Sequence, residues 1–457
     1  MRYKDFNDLL TKQAERIPSH PALKYGEKCW TYRELLEAVD CKAEEYRESR
    51  KTCLGVLADG SADCVISLFA AAKAGLQLVM LDSSLPDELY PSLLAYTDVD
   101  ILCGDEELCE DLAPRLSRGL PSGTDSVLFF TSGTTSRAKA VELSQYSLCQ
   151  SAYNGGTLLP LAEDDTLLCL LPLGHVFGFV CGLLWGLYSG ACVALGRGPR
   201  HYAEDCAYYK PTAVSVVPLL LGFLLKNHAL NPELKLILIG AGDCPAQILD
   251  AARSTGARIS FGYGLTETSS GVALSLGDDP YAMTVCPDDT VTIADDGEIL
   301  ISAPTCVMKG YYKMPEATGA VLRYGMLRSG DLGRIDKNSL LHITGRKKDI
   351  LVLSDGTKIF LPEYELQLMQ ALRRSELAVI LQGGRPVLLC QTVPGDSEDP
   401  SLRRTAVLKL LAPFMKSMPR GQQITDVFFT DAPLPRTATG KIKRYELPQL
   451  IAELSNQ

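Results

Sequence analysis

Leu128-Phe129-Phe130-Thr131-Ser132-Gly133-Thr134-Thr135-Ser136-Arg137-Ala138-Lys139-Ala140-Val141 is the stretch from which the rest of the chain can be read. The apolar run from Val127 to Phe130 has the length and composition of a buried strand. It stops abruptly in small hydroxyl residues and a glycine. Such a loop can lay backbone N–H groups and Ser/Thr hydroxyls against phosphate oxygens, with Lys139 as a point charge. It lacks the spacing of a Walker A loop. On its own a loop of this kind is more often an ordinary turn, so its partners decide.

Working outward, strands and helices alternate. An amphipathic helix carries Phe6, Leu9, Leu10 and Ala14. Thr31-Tyr32-Arg33-Glu34 is a capping box that opens a second helix. Cys53 to Leu57, Ser61 to Ala74 and Gln77 to Leu81 read as strand, helix, strand. The same rhythm resumes at Ala213 to Val217, Pro218 to His228, Leu236 to Ile239, Pro245 to Thr255 and Arg258 to Phe261. This alternation predicts parallel sheets covered on both faces. Three strands are expected to end in Gly- or Ser/Thr-rich loops: the Thr131 loop, Gly240-Ala241-Gly242 and Gly262-Tyr263-Gly264. In open α/β sheets such loops converge on one crevice.

After about residue 290 the texture turns to hairpins, one turning at Asp296-Gly297 and one at Asp336-Lys337-Asn338. A small C-terminal unit follows. The charged stretch Gly345-Arg346-Lys347-Lys348-Asp349 sets the expected boundary, giving domains 1–345 and 346–457. The fold class expected is α/β: a large N-terminal domain of doubly wound sheets with a β-rich subdomain, then a small mobile α+β domain.

The 457 residues exceed one compact core. A net charge of -10 argues against a nucleic-acid partner. The 15 cysteines form no C-x-x-C pair, and Met1 to Asp5 leads into the first helix without an apolar signal region. Reduced core cysteines and a cytoplasmic location are the expectation. From Thr166 to Gly196 no charged residue occurs, long enough for a membrane span. Pro172 and Gly174 break it, and Gly174, Gly178, Gly182, Gly186 and Gly190 recur every fourth residue. A buried helix with close neighbours, and no transmembrane segment, is the better reading.

Four further stretches follow in order: Tyr263-Gly264-Leu265-Thr266-Glu267, Arg328-Ser329-Gly330-Asp331-Leu332, Gly345 to Ile350, and Pro435-Arg436-Thr437-Ala438-Thr439-Gly440-Lys441-Ile442-Lys443-Arg444. With the Thr131 loop, the chain resembles the adenylate-forming superfamily over essentially its whole length. That superfamily contains acyl- and aryl-CoA synthetases, adenylation domains of peptide synthetases and firefly luciferase. The resemblance implies ATP and Mg²⁺ as cofactors and a small-molecule carboxylic acid as substrate. It also implies a pantetheine thiol acceptor, either coenzyme A or the phosphopantetheine of an acyl carrier protein.

It also implies residue roles. Thr131, Ser132, Gly133, Thr134, Thr135 and Lys139 surround the β- and γ-phosphates. Thr266 meets the α-phosphate, and Glu267 holds the metal as a hard oxygen ligand. Gly240, Ala241, Gly242, Tyr263 and Gly264 line the nucleotide, with Tyr263 offering a flat face to adenine. Asp331 takes the ribose hydroxyls, and Arg346 contacts ribose or phosphate. Lys441 carries adenylation with its flexible ammonium. Lys348 is the hinge, and Gly356 lets the pantetheine arm pass. His175, Phe177 and Gly262 face the acid, Leu171 to Gly178 being similar to a P-x-x-H-x-x-G stretch of acyl- and aryl-CoA synthetases. Bland readings stand beside these: Glu267 as a solvated carboxylate, Asp331 as a turn residue, Lys441 as a surface lysine, His175 as a satisfied core histidine.

The pattern departs at Ser136, Ala138 and Ala140, which replace a glycine, a proline and a glycine, and at Leu361, where the family often has proline. The activity expected is an acid–thiol ligase for a fatty or aryl acid. The alternatives are an enzyme that adenylates an acyl or amino acid and loads it onto a carrier protein, and a non-catalytic nucleotide-binding scaffold.

Overall fold

The run before the Thr131 loop forms the strand Ser126–Phe130, all but its last residue buried, in a computed structural model of the chain. The structure describes residues 2–82, 85, 87–116, 125–131, 139–242, 244–353, 358–416, 418–436 and 442–454. It divides into two compact units. The first holds residues up to Thr131, Lys139–Ser329 and Gly333–Ile343; the second holds Gly330–Leu332 and the chain from Thr344 onward.

In the first unit, one sheet runs in the order Gly310–Tyr311, Ala140–Ser144, Ser126–Phe130, Gln77–Leu81, Cys53–Leu57, Ile101–Gly104. Its last four strands are parallel, as the alternation predicts. The first two joins are antiparallel. Behind it the helix Phe6–Arg16 is capped by Asp5, whose side chain accepts from the Asp8 amide, and it buries Phe6, Leu9 and Leu10. The Thr31–Glu34 capping box forms as read.

A second, longer path of strands has a parallel centre: Arg258–Leu265, Leu236–Ile239, Ala213–Val216, Thr166–Cys169 and Cys192–Leu195. One expectation needs correction here. The strand beginning at Arg258 does not end at Phe261 but continues to Leu265. Its first half pairs in parallel with Leu236–Ile239, and its second half pairs antiparallel with Ser270–Ser275, with an irregularity between Tyr263 and Gly264. Gly262-Tyr263-Gly264 is therefore the joint between parallel and antiparallel sheet, not a loop. Gly264 is obligatory there, because a Cβ would stand 1.6 Å from the carbonyl oxygen of Ser270.

The uncharged stretch from Thr166 resolves into a strand, a π-helical segment Gly178–Leu184, a short helix and the strand Cys192–Leu195. No described helix is long and apolar enough to cross a membrane. The four-residue glycine spacing serves packing: Cβ atoms on Gly178, Gly182 and Gly186 would meet the carbonyl of Pro172, Sγ of Cys169 and Cγ2 of Val193 at 2.3, 2.9 and 2.5 Å. All 15 cysteines are free thiols, most of them buried. Burial pushes the Cys169 thiol up to about 12.

The second unit packs a three-stranded sheet (Leu377–Gln382, Arg385–Gln391, Asp426–Thr430) with helices Leu361–Leu372, Pro400–Lys416 and Leu447–Leu454. Leu361, at the position where the family often has proline, is fully buried at the start of its helix, with proline one residue later.

One buried carboxyl gives the first unit a pH-dependent stability. Asp289 is 8% exposed, and neither of its carboxylate oxygens has a hydrogen-bond partner among the described residues. Burial, then the neighbouring Asp288, raises its pKa to about 7. The folded chain thus binds a proton that the unfolded chain has already released above the usual carboxylate range. Stability falls as pH climbs from there through about 7, because the charge is then buried unpaired. Asp289→Asn removes that penalty. The variant should match the wild type near pH 4.5 and exceed it at pH 8 by on the order of 3 kcal/mol. Urea unfolding at the two pH values measures this; equal differences at both would contradict it.

Candidate active site

The neck of the Thr131 loop is closed at the carbonyl of Lys139, which accepts from the Thr131 amide (3.0 Å) and from Oγ1 of Thr131 (3.5 Å). Ser132, Gly133, Thr134 and Thr135, with Ser136 and Ala138, lie outside the described residues. From the neck the chain enters the strand Ala140–Ser144. Ala140, which replaces a family glycine, is fully buried in regular strand there.

That strand brings in a residue the sequence does not announce. Gly310–Tyr311 pairs with it in antiparallel register, Tyr311 opposite Val141. The ammonium of Lys139 stands over the Tyr311 ring, 4.5 Å from its centroid, within cation–π range. On the other side the Tyr311 hydroxyl donates to Oε1 of Glu267 at 2.7 Å. Burial, then the Glu267 charge, drives the phenol pKa far up, so it stays a donor. Tyr311 thus touches both Lys139 and Glu267, two residues 128 positions apart in the chain.

Glu267 sits in the 3₁₀ turn Thr266–Thr268, directly after the long strand. Its backbone carbonyl accepts from the amide of Met308 (2.8 Å). The turn is tied by Thr268, whose Oγ1 accepts from the Leu265 amide (3.0 Å) and donates to the carbonyl of Ser270. Ser269 and Ser270 take φ of 54° and 100°, a costly conformation for residues other than glycine. Ser269 donates from Oγ to the carbonyl of Cys306 (2.7 Å), which helps hold it. Thr266 lies beside Glu267, half-buried. Tyr263 is 9% exposed, so little of its ring is open.

Oε2 of Glu267 accepts no bond from a described side chain or amide. A single half-buried carboxylate is the protein contribution Mg²⁺ takes when phosphate oxygens and water complete its shell. The residues fit the ion on that ground.

Two more predicted residues meet. Gly240 is buried, and a Cβ there would stand 2.6 Å from Cζ of Phe177. The Phe177 ring therefore lies on the backbone of the Gly240 loop, which only glycine permits. Ala241, with φ of 65°, and Gly242 are exposed beyond it. Gly262 is less constrained: its built Cβ makes only ordinary contacts, with Leu274 at 3.4 Å. His175 is not a core histidine. Its side chain is 36% exposed, and Nε2 lies 3.1 Å from Oδ2 of Asp82, which directly follows the strand Gln77–Leu81. Asp82 has no local sequence signal; the packing of Gly174 against the end of that strand brings it in.

In the second unit, Asp331 is 2% exposed and accepts from Nε of the exposed Arg346 at 2.8 Å. Lys348 is exposed in the 3₁₀ turn Lys347–Asp349. Gly356 and Lys441 lie outside the described residues. The residues flanking Lys441 are anchored: Arg436 and Ile442 form an antiparallel bridge, and Arg444 makes a bidentate pair with the buried Glu365 (2.8 and 2.6 Å).

Comparison with known proteins identifies the family. The family described as AMP-binding enzyme matches residues 10–122 and 120–312. A 2-succinylbenzoate–CoA ligase of Bacillus velezensis is 26% identical over 495 residues, covering 96% of this chain and 97% of that protein. An indoleacetate–CoA ligase of Aromatoleum aromaticum is 28% identical over 515 residues, with 98% of each covered. A probable CoA ligase of Humulus lupulus is 32% identical over 350 residues, 70% of this chain and 65% of that protein. Among solved structures, an anthranilate CoA ligase bound to anthranoyl-AMP superposes with a TM-score of 0.80 at 21% identity, covering 100% of this chain and 99% of that one. The O-succinylbenzoate coenzyme A synthetase of Bacillus subtilis bound to AMP gives 0.79 at 23%, covering 96% and 97%. The chain belongs to the AMP-binding enzyme family and is an acyl-CoA synthetase-like, AMP-forming ligase of the adenylate-forming superfamily.

Proposed function

We propose that this enzyme joins a carboxylic acid with an uncharged aryl or acyl tail to coenzyme A through an acyl-adenylate. One observation carries the reading: Tyr311 gathers Lys139 and Glu267 at the neck of the Thr131 loop. A cation for phosphate and a carboxylate for a metal then serve one ATP. In the first half-reaction a carboxylate oxygen of the acid attacks the α-phosphorus, and the bond to the β-phosphate oxygen breaks, releasing pyrophosphate. Lys139 and the loop hydroxyls hold the departing phosphates, and Thr266 meets the α-phosphate. Bound magnesium neutralises charge on the phosphate oxygens. Lys441 stabilises the charge that builds on the phosphoryl group. In the second half-reaction the thiolate attacks the acyl carbon and the bond to AMP breaks. The second unit turns about Lys348 between the steps, exchanging Lys441 for the Gly356 segment, a gating motion. Asp331 and Arg346 hold the ribose.

Phe177 on Gly240, with His175 held by Asp82, forms the acid end of the site. An aromatic wall with a paired histidine suits an uncharged tail, and the named relatives include ligases of aryl acids.

Pyrophosphate exchange across aryl, fatty and amino acids, followed by addition of CoA or of a phosphopantetheinylated carrier protein, tests this. Exchange with aryl or fatty acids and thioester formation on CoA are expected. Exchange with amino acids alone, transfer only to the carrier, or ATP binding with no exchange for any acid would each overturn it.

A further inference from the structure

We infer that Tyr311 is a positioning residue that sets the metal affinity of the nucleotide site by fixing Glu267 and Lys139 against each other. This rests on the reading of Glu267 as the metal-bearing carboxylate. Tyr311 is itself held from several sides. Its amide donates to Oγ1 of Thr318 (2.8 Å), and its carbonyl accepts from the amide of Met314 (3.0 Å). Met308 and Tyr312, on either side of it, donate their amides to the carbonyls of Glu267 and Ala140, both at 2.8 Å. The same short segment therefore grips the backbone of the Glu267 turn and of the strand that leaves the loop. At 8% exposure the ring has little freedom to move.

The hydroxyl and the ring face act on different partners. The hydroxyl orients the Glu267 carboxylate through Oε1, leaving Oε2 for a cation. The ring face holds the Lys139 ammonium 4.5 Å from its centroid, while the hydroxyl at the ring's edge holds Glu267. Without that separation the lysine and the carboxylate, both needed by the nucleotide, would neutralise one another. A buried tyrosine between an acid and a base keeps both charges available.

The two functions separate by substitution. Tyr311→Phe keeps the ring and deletes the hydroxyl. It should raise the Mg²⁺ concentration for half-maximal pyrophosphate exchange about tenfold, leave the KM for the acid unchanged, and regain wild-type kcat at saturating Mg²⁺. Calorimetric titration with ATP should show weakened binding at low Mg²⁺ and near-normal binding at high Mg²⁺. Tyr311→Leu also removes the cation–π contact and should weaken ATP binding at every Mg²⁺ concentration. Glu267→Gln is the comparator. A shifted Mg²⁺ dependence in Glu267→Gln with none in Tyr311→Phe would overturn the role of Tyr311. An unchanged Mg²⁺ dependence in Glu267→Gln would overturn the reading of Glu267 instead. A Tyr311→Phe loss of kcat that high Mg²⁺ does not restore, with a lowered melting temperature, would mark the tyrosine as a packing residue only.

Discussion

Replacing Glu267 with glutamine is expected to lower pyrophosphate exchange by roughly two to three orders of magnitude, with little change in stability. The amide has the shape of the carboxylate, and its oxygen can still accept from the Tyr311 hydroxyl, so the turn Thr266–Thr268 keeps its ties. What is lost is the negative charge. A neutral oxygen is a poor ligand for a hard divalent cation, and the phosphates then shed less of their charge as pyrophosphate departs. Glu267 is half-buried and bonded to a neutral hydroxyl, so losing its charge breaks no ion pair among the described residues. Exchange measured at fixed ATP, with the melting temperature beside it, separates the two effects. A variant that exchanges within threefold of the wild type would remove Glu267 from the chemistry.

The second large effect is expected at Lys441. Lys441→Ala should reduce acyl-adenylate formation by a similar factor, yet leave thioester formation from supplied acyl-adenylate largely intact. In the proposed mechanism a Lys441 ammonium reaching both the carboxylate and the α-phosphate would stabilise the first transition state and have no partner in the second. The anchored flanks, with Arg436 bridged to Ile442 and Arg444 locked on Glu365, argue that the substitution leaves the second unit folded. Single-turnover measurement of each half-reaction decides it. Equal loss of both steps would contradict the assigned role.

What could be read in the sequence was local. The capping box at Thr31 and Glu34, the strand before Thr131 and the four-residue glycine spacing from Gly174 each act through neighbours a few residues away or through one packed face. The order of the motifs then carried the family. What escaped was long-range. Gly310–Tyr311 is two residues of strand with no hydrophobic period of its own, and its pairing with Ala140–Ser144 joins Tyr311 to Val141, far apart in the chain. Asp82 reaches His175 only because Gly174 admits the end of another strand. The strand from Arg258 looked finished at Gly262 because glycines usually punctuate. Here Gly264 is needed for a close approach inside the ladder, and the strand runs on to deliver Thr266 and Glu267.

The most direct measurement is a crystal structure of the enzyme with ATP and Mg²⁺. A metal bound about 2.1 Å from a Glu267 oxygen, with the β- and γ-phosphates within reach of Lys139 and the ammonium still over the Tyr311 ring, is the predicted result. Phosphates bound elsewhere, or a metal held without Glu267, would contradict the account.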